Sequence, residues 1–267
     1  MKSLAFLALS AIATAAMAAS PTAPNQLVIS GTSTQTASVS GGYTSNTAKS
    51  YAYANQNIAS NKGGVDIAGT STQSSSLTNS HVTNDAKHEG DVAVQNLASN
   101  VGNVSVGEDG SSSRSGGGHG PKVKGTSEQT ANVVGSNVIN IADGDSGCRG
   151  FDCKDAALAY QNLSSNMGTI SITGTSKQTT GVSGNSTVKN LADGPQTVAV
   201  QNLSSNYGDV TISGSSTQTT WVAANAFVGN FALGRSAHAY QNLASNDSCD
   251  PPPPVCVGPA CGPYASR

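Results

Sequence analysis

The chain of 267 residues is short of charge and short of rings. Charged side chains make up 10 % of it, against about 25 % in ordinary soluble domains. Aromatics make up 4 %, with one Trp, seven Tyr and four Phe. So few large side chains exclude a thick, jigsaw-packed core. They also argue against an outer-membrane barrel, which needs aromatic girdles and long apolar alternation. A net charge of −2 excludes the electrostatic footprint of a nucleic-acid binder. Catalytic patterns are missing as well. None of His81, His88, His119 and His238 has metal-ligand spacing. No Gly-x-Ser-x-Gly elbow or Walker loop is present, and no facing carboxylate pair recurs. Neither an enzyme nor a cofactor is expected. His238 stands at a variable repeat position and reads as a surface residue, and His119 reads as a loop residue. What fills the chain instead is Ala, Val, Ser, Thr, Asn, Gln and Gly, a neutral, polar and β-prone mixture.

Met1 and Lys2 precede an apolar run, Leu4 to Ala18, that ends in Ala16-Met17-Ala18. A short basic start, an apolar middle and an A-x-A site read as a secretory signal peptide over residues 1–18. The run is shorter than the roughly 20 residues that cross a bilayer, and no Cys follows the site for lipid attachment. The expected mature chain is exported and carries no transmembrane span.

Residues 19–248 are organised by repetition. One phrase occurs five times, as Ala54-Asn-Gln56-Asn-Ile58-Ala-Ser-Asn61, Ala93-Val-Gln95-Asn-Leu97-Ala-Ser-Asn100, Ala159-Tyr-Gln161-Asn-Leu163-Ser-Ser-Asn166, Ala199-Val-Gln201-Asn-Leu203-Ser-Ser-Asn206 and Ala239-Tyr-Gln241-Asn-Leu243-Ala-Ser-Asn246. Its Gln residues are 39, 66, 40 and 40 positions apart. A second phrase, Gly-Thr/Ser-Ser-x-Gln, ends at Gln35, Gln73, Gln129, Gln178 and Gln218.

Within the phrases the constant residues alternate with variable ones. Ala199, Gln201 and Leu203 form one such set, and Val210, Ile212, Gly214, Ser216 and Gln218 form another. Period two with one constrained face is a strand. The two sets are out of phase, so a turn is expected between them at Ser205-Asn206-Tyr207-Gly208, where Asn and Gly tolerate positive φ. Tyr207 then occupies a variable turn position. A less regular half holds Val182, Asn185, Val188 and Asn190.

Gln161 to Gln178 is 17 positions, and Gln178 to Gln201 is 23. The near-equal spacing suggests two coils of about 20 residues in each unit. The fold class expected is therefore all-β, a stacked repeat architecture (β-solenoid or cross-β) of five units of about 40 residues, two coils each. Inward amides suit such a stack, because each bonds to its counterpart above and below in a side-chain ladder. The ladder would run through Gln56, Gln95, Gln161, Gln201 and Gln241, through Asn61, Asn100, Asn166, Asn206 and Asn246, and through Gln35, Gln73, Gln129, Gln178 and Gln218. An unfolded linker would have no use for an alternating Val/Ile/Leu face.

Two insertions, near 107–124 and 143–155, account for the spacing of 66 and hold 11 of the 28 charged residues. They read as loops extruded from a regular body. Cys148 and Cys153 lie in the second, while Cys249, Cys256 and Cys261 lie in a Pro-rich tail, residues 249–267. In an exported protein all five are disulfide candidates, and their odd number leaves one for an intermolecular bond or a free thiol. The pieces Thr32-Ser-Thr34 and Thr70-Ser-Thr72 suggest a flat, ice-binding Thr array, but Lys177 interrupts the series.

The Gln-x4-Asn spacing, held in all five copies amid alternating Ala, Val and Gln, resembles the imperfect repeats of curli-type functional amyloid subunits. The resemblance implies an exported bacterial protein that self-assembles into extracellular surface or biofilm fibres. Its partners would be other copies of itself, or a secretion or nucleation partner. The chain departs from that pattern in its 40-residue unit and in the Asn-Leu-x-Ser that fills the turn. The competing reading is a monomeric β-solenoid that acts as an adhesin or surface-binding module.

Overall fold

Alternation of small or apolar inward residues with polar outward ones leaves each segment only one way to bury its inward face: extended, against copies of itself. The structure, a computed structural model, describes residues 26–49, 52–88, 90–102, 104–107, 125–144, 156–223 and 225–247. The expected signal peptide, the interiors of both insertions, all five cysteines and the tail lie outside these residues.

The described chain is all-β. Its strands form five sheets of five strands each. The first sheet holds Gln26–Ile29, Gly64–Ile67, Val104–Val106, Ile170–Ile172 and Val210–Ile212. The second holds Thr32–Ser40, Thr70–Thr78, Thr126–Val134, Thr175–Ser183 and Ser215–Val222. The third holds Tyr43–Lys49, His81–Lys87, Asn137–Asp143, Thr187–Asp193 and Phe227–Leu233. The fourth holds Ala54–Ile58, Ala93–Leu97, Ala159–Leu163, Ala199–Leu203 and Ala239–Leu243. The short fifth holds Asn61–Lys62, Asn100–Val101, Asn166–Met167, Asn206–Tyr207 and Asn246–Asp247. All neighbouring strands are parallel and in register, so like residues stand in columns: Gln95, Gln161 and Gln201 in one, Gln129, Gln178 and Gln218 in another. This is a β-solenoid-like stack. The chain visits the five sheets in order, and we call one such pass a layer.

The register corrects the expectation of coils of about 20 residues. Gln161 pairs with Gln201, and Gln178 pairs with Gln218, in two different sheets. The spacing of 17 marks two walls of one core, not a return to the same wall. The turn is corrected in part. Gly208 has positive φ as expected (124°), but Asn206 lies in a strand, and the other positive φ falls on Ser204 (50°). The half expected to be irregular contains a full strand, Thr187–Asp193, with Val188, Asn190 and Ala192 buried and the intervening residues half-buried.

Three apolar columns fill the core. Ile67, Val104, Ile170 and Ile172 pack behind the first sheet. Leu77, Val133, Val182, Val138 and Val188 from the second and third sheets meet Leu97, Leu163 and Leu203 of the fourth. Ala86, Ala142 and Ala192 of the third meet Ala93, Ala159 and Ala199 of the fourth, where methyl groups let two sheets approach closely.

A fourth cluster lies outside that core. Val94, Tyr160 and Val200 alternate with the inward Gln column, and Val101, Met167 and Tyr207 alternate with the inward Asn column, yet they pack together. The chain therefore bends back at Ala98, Ser164 and Ser204, all at positive φ, and the outer faces of the fourth and fifth sheets close on each other. Tyr207, expected at an exposed turn, is 1 % exposed for this reason.

At the first insertion the layer resumes where it left off. A Cβ on Gly125 would lie 2.9 Å from the Gly107 nitrogen. Both Gly107 and Thr126 are bonded back to the preceding layer, Gly107 N–H to the Ile67 carbonyl at 3.0 Å and Thr126 N–H to the Gly69 carbonyl at 2.8 Å. Long loops between adjacent ends add only slowly growing closure entropy. Deleting residues 108–124 joins Gly107 to Gly125, the two-residue link that Thr173-Gly174 makes elsewhere. The shortened chain is expected to keep its β-type circular dichroism and to melt within a few degrees of the parent. Failure to fold would place the insertion in the core.

Candidate assembly edges

The side chains that recur in every layer are amides, and their bonding decides what the stack can do at its ends. In the fourth sheet the Gln column forms an unbroken ladder. Gln95 Nε2 donates to Gln56 Oε1 (2.9 Å), Gln161 to Gln95 (2.7 Å), Gln201 to Gln161 (2.7 Å) and Gln241 to Gln201 (2.6 Å). In the fifth sheet the Asn column runs the other way. Asn61 Nδ2 donates to Asn100 Oδ1 (2.9 Å), Asn100 to Asn166 (3.0 Å), Asn166 to Asn206 (2.8 Å) and Asn206 to Asn246 (2.7 Å).

The second-phrase amides behave differently from expectation. Gln35, Gln73, Gln129, Gln178 and Gln218 do not bond to one another. Each donates across the core to the Asn column, at Asn61, Asn100, Asn166, Asn206 and Asn246 respectively. The buried Oε1 atoms of Gln73, Gln129 and Gln178 have no hydrogen-bond partner among the described residues.

Two further ladders escaped the sequence reading. Asn46, Asn84, Asn140 and Asn190 of the third sheet each donate to the next, ending at Asn230, at 2.7–2.8 Å. Backbone carbonyls, which can only accept, fix the Nδ2 positions: Asn140 also donates to Ala93 and Tyr160, both at 3.1 Å. Val188-x-Asn190-x-Ala192 carries the period-two signal that could have placed this column inward. Asn242, Asn202, Asn162 and Asn96 each donate to the Asn one layer earlier, ending at Asn57, at 2.7–2.9 Å. Its signal was invariance on a face that otherwise varies.

Inside the stack these groups are sealed from water; at the last layer Gln241 and Asn246 are exposed, while Gln56 and Asn61 of the first layer stay buried. Leu203 is 0 % exposed, and Leu243, its neighbour in the same column, is 41 % exposed. Val182 and Val222 differ in the same way, 0 % against 40 %. Residues 26–62 form one edge of all five sheets and residues 210–247 the other, and among the described residues no further strand pairs with either edge.

The outer surface is bland by comparison. The column Thr34, Thr72, Glu128, Lys177, Thr217 is interrupted by charge, which breaks a flat Thr array. His238 is exposed and stacks on Tyr240, with centroids 6.2 Å apart. Among the described residues no group of three or more His, Cys, Asp or Glu is placed to hold a metal, and no helix is long and apolar enough to cross a membrane. In the notch between the fourth and fifth sheets, burial, with a smaller push from Tyr207, raises the Tyr160 phenol well above its ordinary pKa. It stays protonated there as a packing group. No protein family, curated protein or solved structure matches the chain.

Proposed function

We propose that the chain is an exported structural subunit, a β-solenoid of five coils with one coil per repeat, that self-assembles into extracellular surface or biofilm fibres. The reading gives it no catalytic role and no cofactor. One observation supports it above the others. Among the described residues both end layers leave every sheet with an unpaired edge, and each edge carries the same columns of Val, Ala, Leu or Ile, Gln and Asn as the interior. A long, open, apolar-lined edge is a template for another chain, and repeat proteins that stay monomeric need polar capping layers. The competitor, a monomeric adhesin, draws on a separate observation: Trp221 and Phe227 stand 58 % and 48 % exposed on the last layer.

Purified residues 19–267 are expected to form unbranched fibres visible by electron microscopy. Their axial diffraction repeat should be near ~4.8 Å, the spacing of neighbouring strands. A chain that stays monomeric at high concentration, with β-type circular dichroism and no thioflavin response, would remove the fibre reading and favour the adhesin.

A further inference from the structure

We infer that copies join head to tail in a single register, the first layer of one copy continuing the last layer of another, with Lys62 of one beside Asp247 of the other. The inference rests on the self-assembly reading above and adds its polarity, its register and a charged contact.

The amide ladders give the polarity. At the last layer the Gln and outer Asn ladders end on acceptors, Gln241 Oε1 and Asn242 Oδ1, while the inner Asn ladder ends on a donor, Asn246 Nδ2. At the first layer the same ladders end in the opposite sense. Gln56 Oε1 and Asn57 Oδ1 are taken by the second layer, so their amide nitrogens are the ends of these ladders, with Asn57 Nδ2 donating to Asn55 Oδ1 at 3.3 Å in its own strand. Asn61 Oδ1 accepts from Gln35, where its interior counterpart Asn100 Oδ1 takes both Gln73 and Asn61. A last layer meeting a first layer completes every ladder. Two last layers, or two first layers, would oppose like to like in each ladder, acceptor to acceptor in some and donor to donor in the others.

Strand lengths agree with this pairing. The third, fourth and fifth sheets have seven, five and two residues in both end layers. Continuing the register places Tyr43 beside Phe227, extending the Tyr43–His81 stack, whose centroids lie 5.1 Å apart.

Charge singles out one column. In the fifth sheet it reads Lys62, Val101, Met167, Tyr207, Asp247, with opposite charges at the two ends and none between. Within one copy the ends are four layers apart. Across a head-to-tail junction they are neighbours at the strand spacing of about 4.8 Å, where opposite charges attract and like charges oppose pairing.

The test uses residues 19–267 carrying Lys62→Asp or Asp247→Lys. Each variant alone sets like charges against each other at every junction, and its seeded elongation is expected to slow about fivefold. Mixed in equal amounts, the two variants alternate, every junction regains an opposite pair, and elongation should return to near the parent rate. The neutral pair Lys62→Gln and Asp247→Asn should slow elongation less and gain nothing on mixing. Circular dichroism of each monomer checks that it folds. If either charge variant does not, the parent's elongation must fall with rising salt for the contact to stand. Parent-like rates for both single charge variants, or no recovery on mixing, would overturn the register while leaving self-assembly intact. A parent that forms no fibres would overturn both.

Discussion

Replacing Gly168 by Ala is expected to destabilise the stack by about 3–5 kcal/mol, combining left-handed strain with overpacking against backbone. Gly168 sits where the chain leaves the fifth sheet for the first, at φ +126°. An added Cβ would lie 2.0 Å from the Gly102 carbonyl oxygen and 2.7 Å from its carbon. Neither backbone can retreat freely. The Gly102 N–H donates to the Met167 carbonyl at 2.7 Å, and the Gly168 N–H donates to the Tyr207 carbonyl at 2.9 Å. Stacking at strand spacing leaves no room for a side chain between consecutive layers at this corner. Because a stack is held by nearest-neighbour contacts, the damage falls between the second and third layers and divides the body in two.

Gly41→Ala separates strain from clash. Gly41 also has positive φ, +60°, but a Cβ there meets nothing within 4 Å. It should cost about 1 kcal/mol. Thermal melts by circular dichroism check the pair. At roughly 2–4 °C per kcal/mol for a chain of this size, Gly168→Ala should lower the midpoint by about 6–20 °C and Gly41→Ala by only about 2–4 °C. Equal shifts would mean that the layers are not packed backbone to backbone at this corner.

The inward sets of the first, second and fourth sheets were legible because alternation is a local property. Ala199, Gln201 and Leu203 announce one face through period two alone, and so do Ser176 and Gln178. The size of a coil was not legible, because two walls of one core and two turns of a smaller coil both repeat a Gln at near-equal intervals. Only the register, with Gln161 beside Gln201 and not beside Gln178, separates them. The notch was hidden for another reason. It depends on positive φ at Ala98, Ser164 and Ser204, residue types that do not advertise that conformation as Gly or Asn would. Tyr207 consequently read as a turn residue when it is a buried wedge. The Asn190 column could be read as alternating but not as a ladder, since its partners lie 40 or 50 residues away.

Replacing Gln161 by Leu tests the ladder at its centre. The change keeps the bulk and removes the amide. Gln161 is fully buried, and so are its neighbours Gln95 and Gln201. Gln95 Oε1 would lose the donor it holds at 2.7 Å, and Gln201 Nε2 would lose its acceptor at 2.7 Å. Two buried orphans at about 1–3 kcal/mol each, less a small gain from apolar burial, set the expected loss at about 2–4 kcal/mol. Gln201→Leu should cost about half as much, since one of its two orphaned partners, Gln241, lies at the exposed end where water takes over the bond. Lys177→Ala, on the outward face, should stay within about 0.5 kcal/mol. The sharper signature is non-additivity. Changing Gln56, Gln95, Gln161, Gln201 and Gln241 together to Leu leaves no amide in the column without a partner, and an apolar column in place of a polar one is nearly neutral. The fivefold variant should therefore melt closer to the parent than Gln161→Leu does. Losses that instead grow with each replacement would show that the column acts through packing volume and not through its hydrogen bonds.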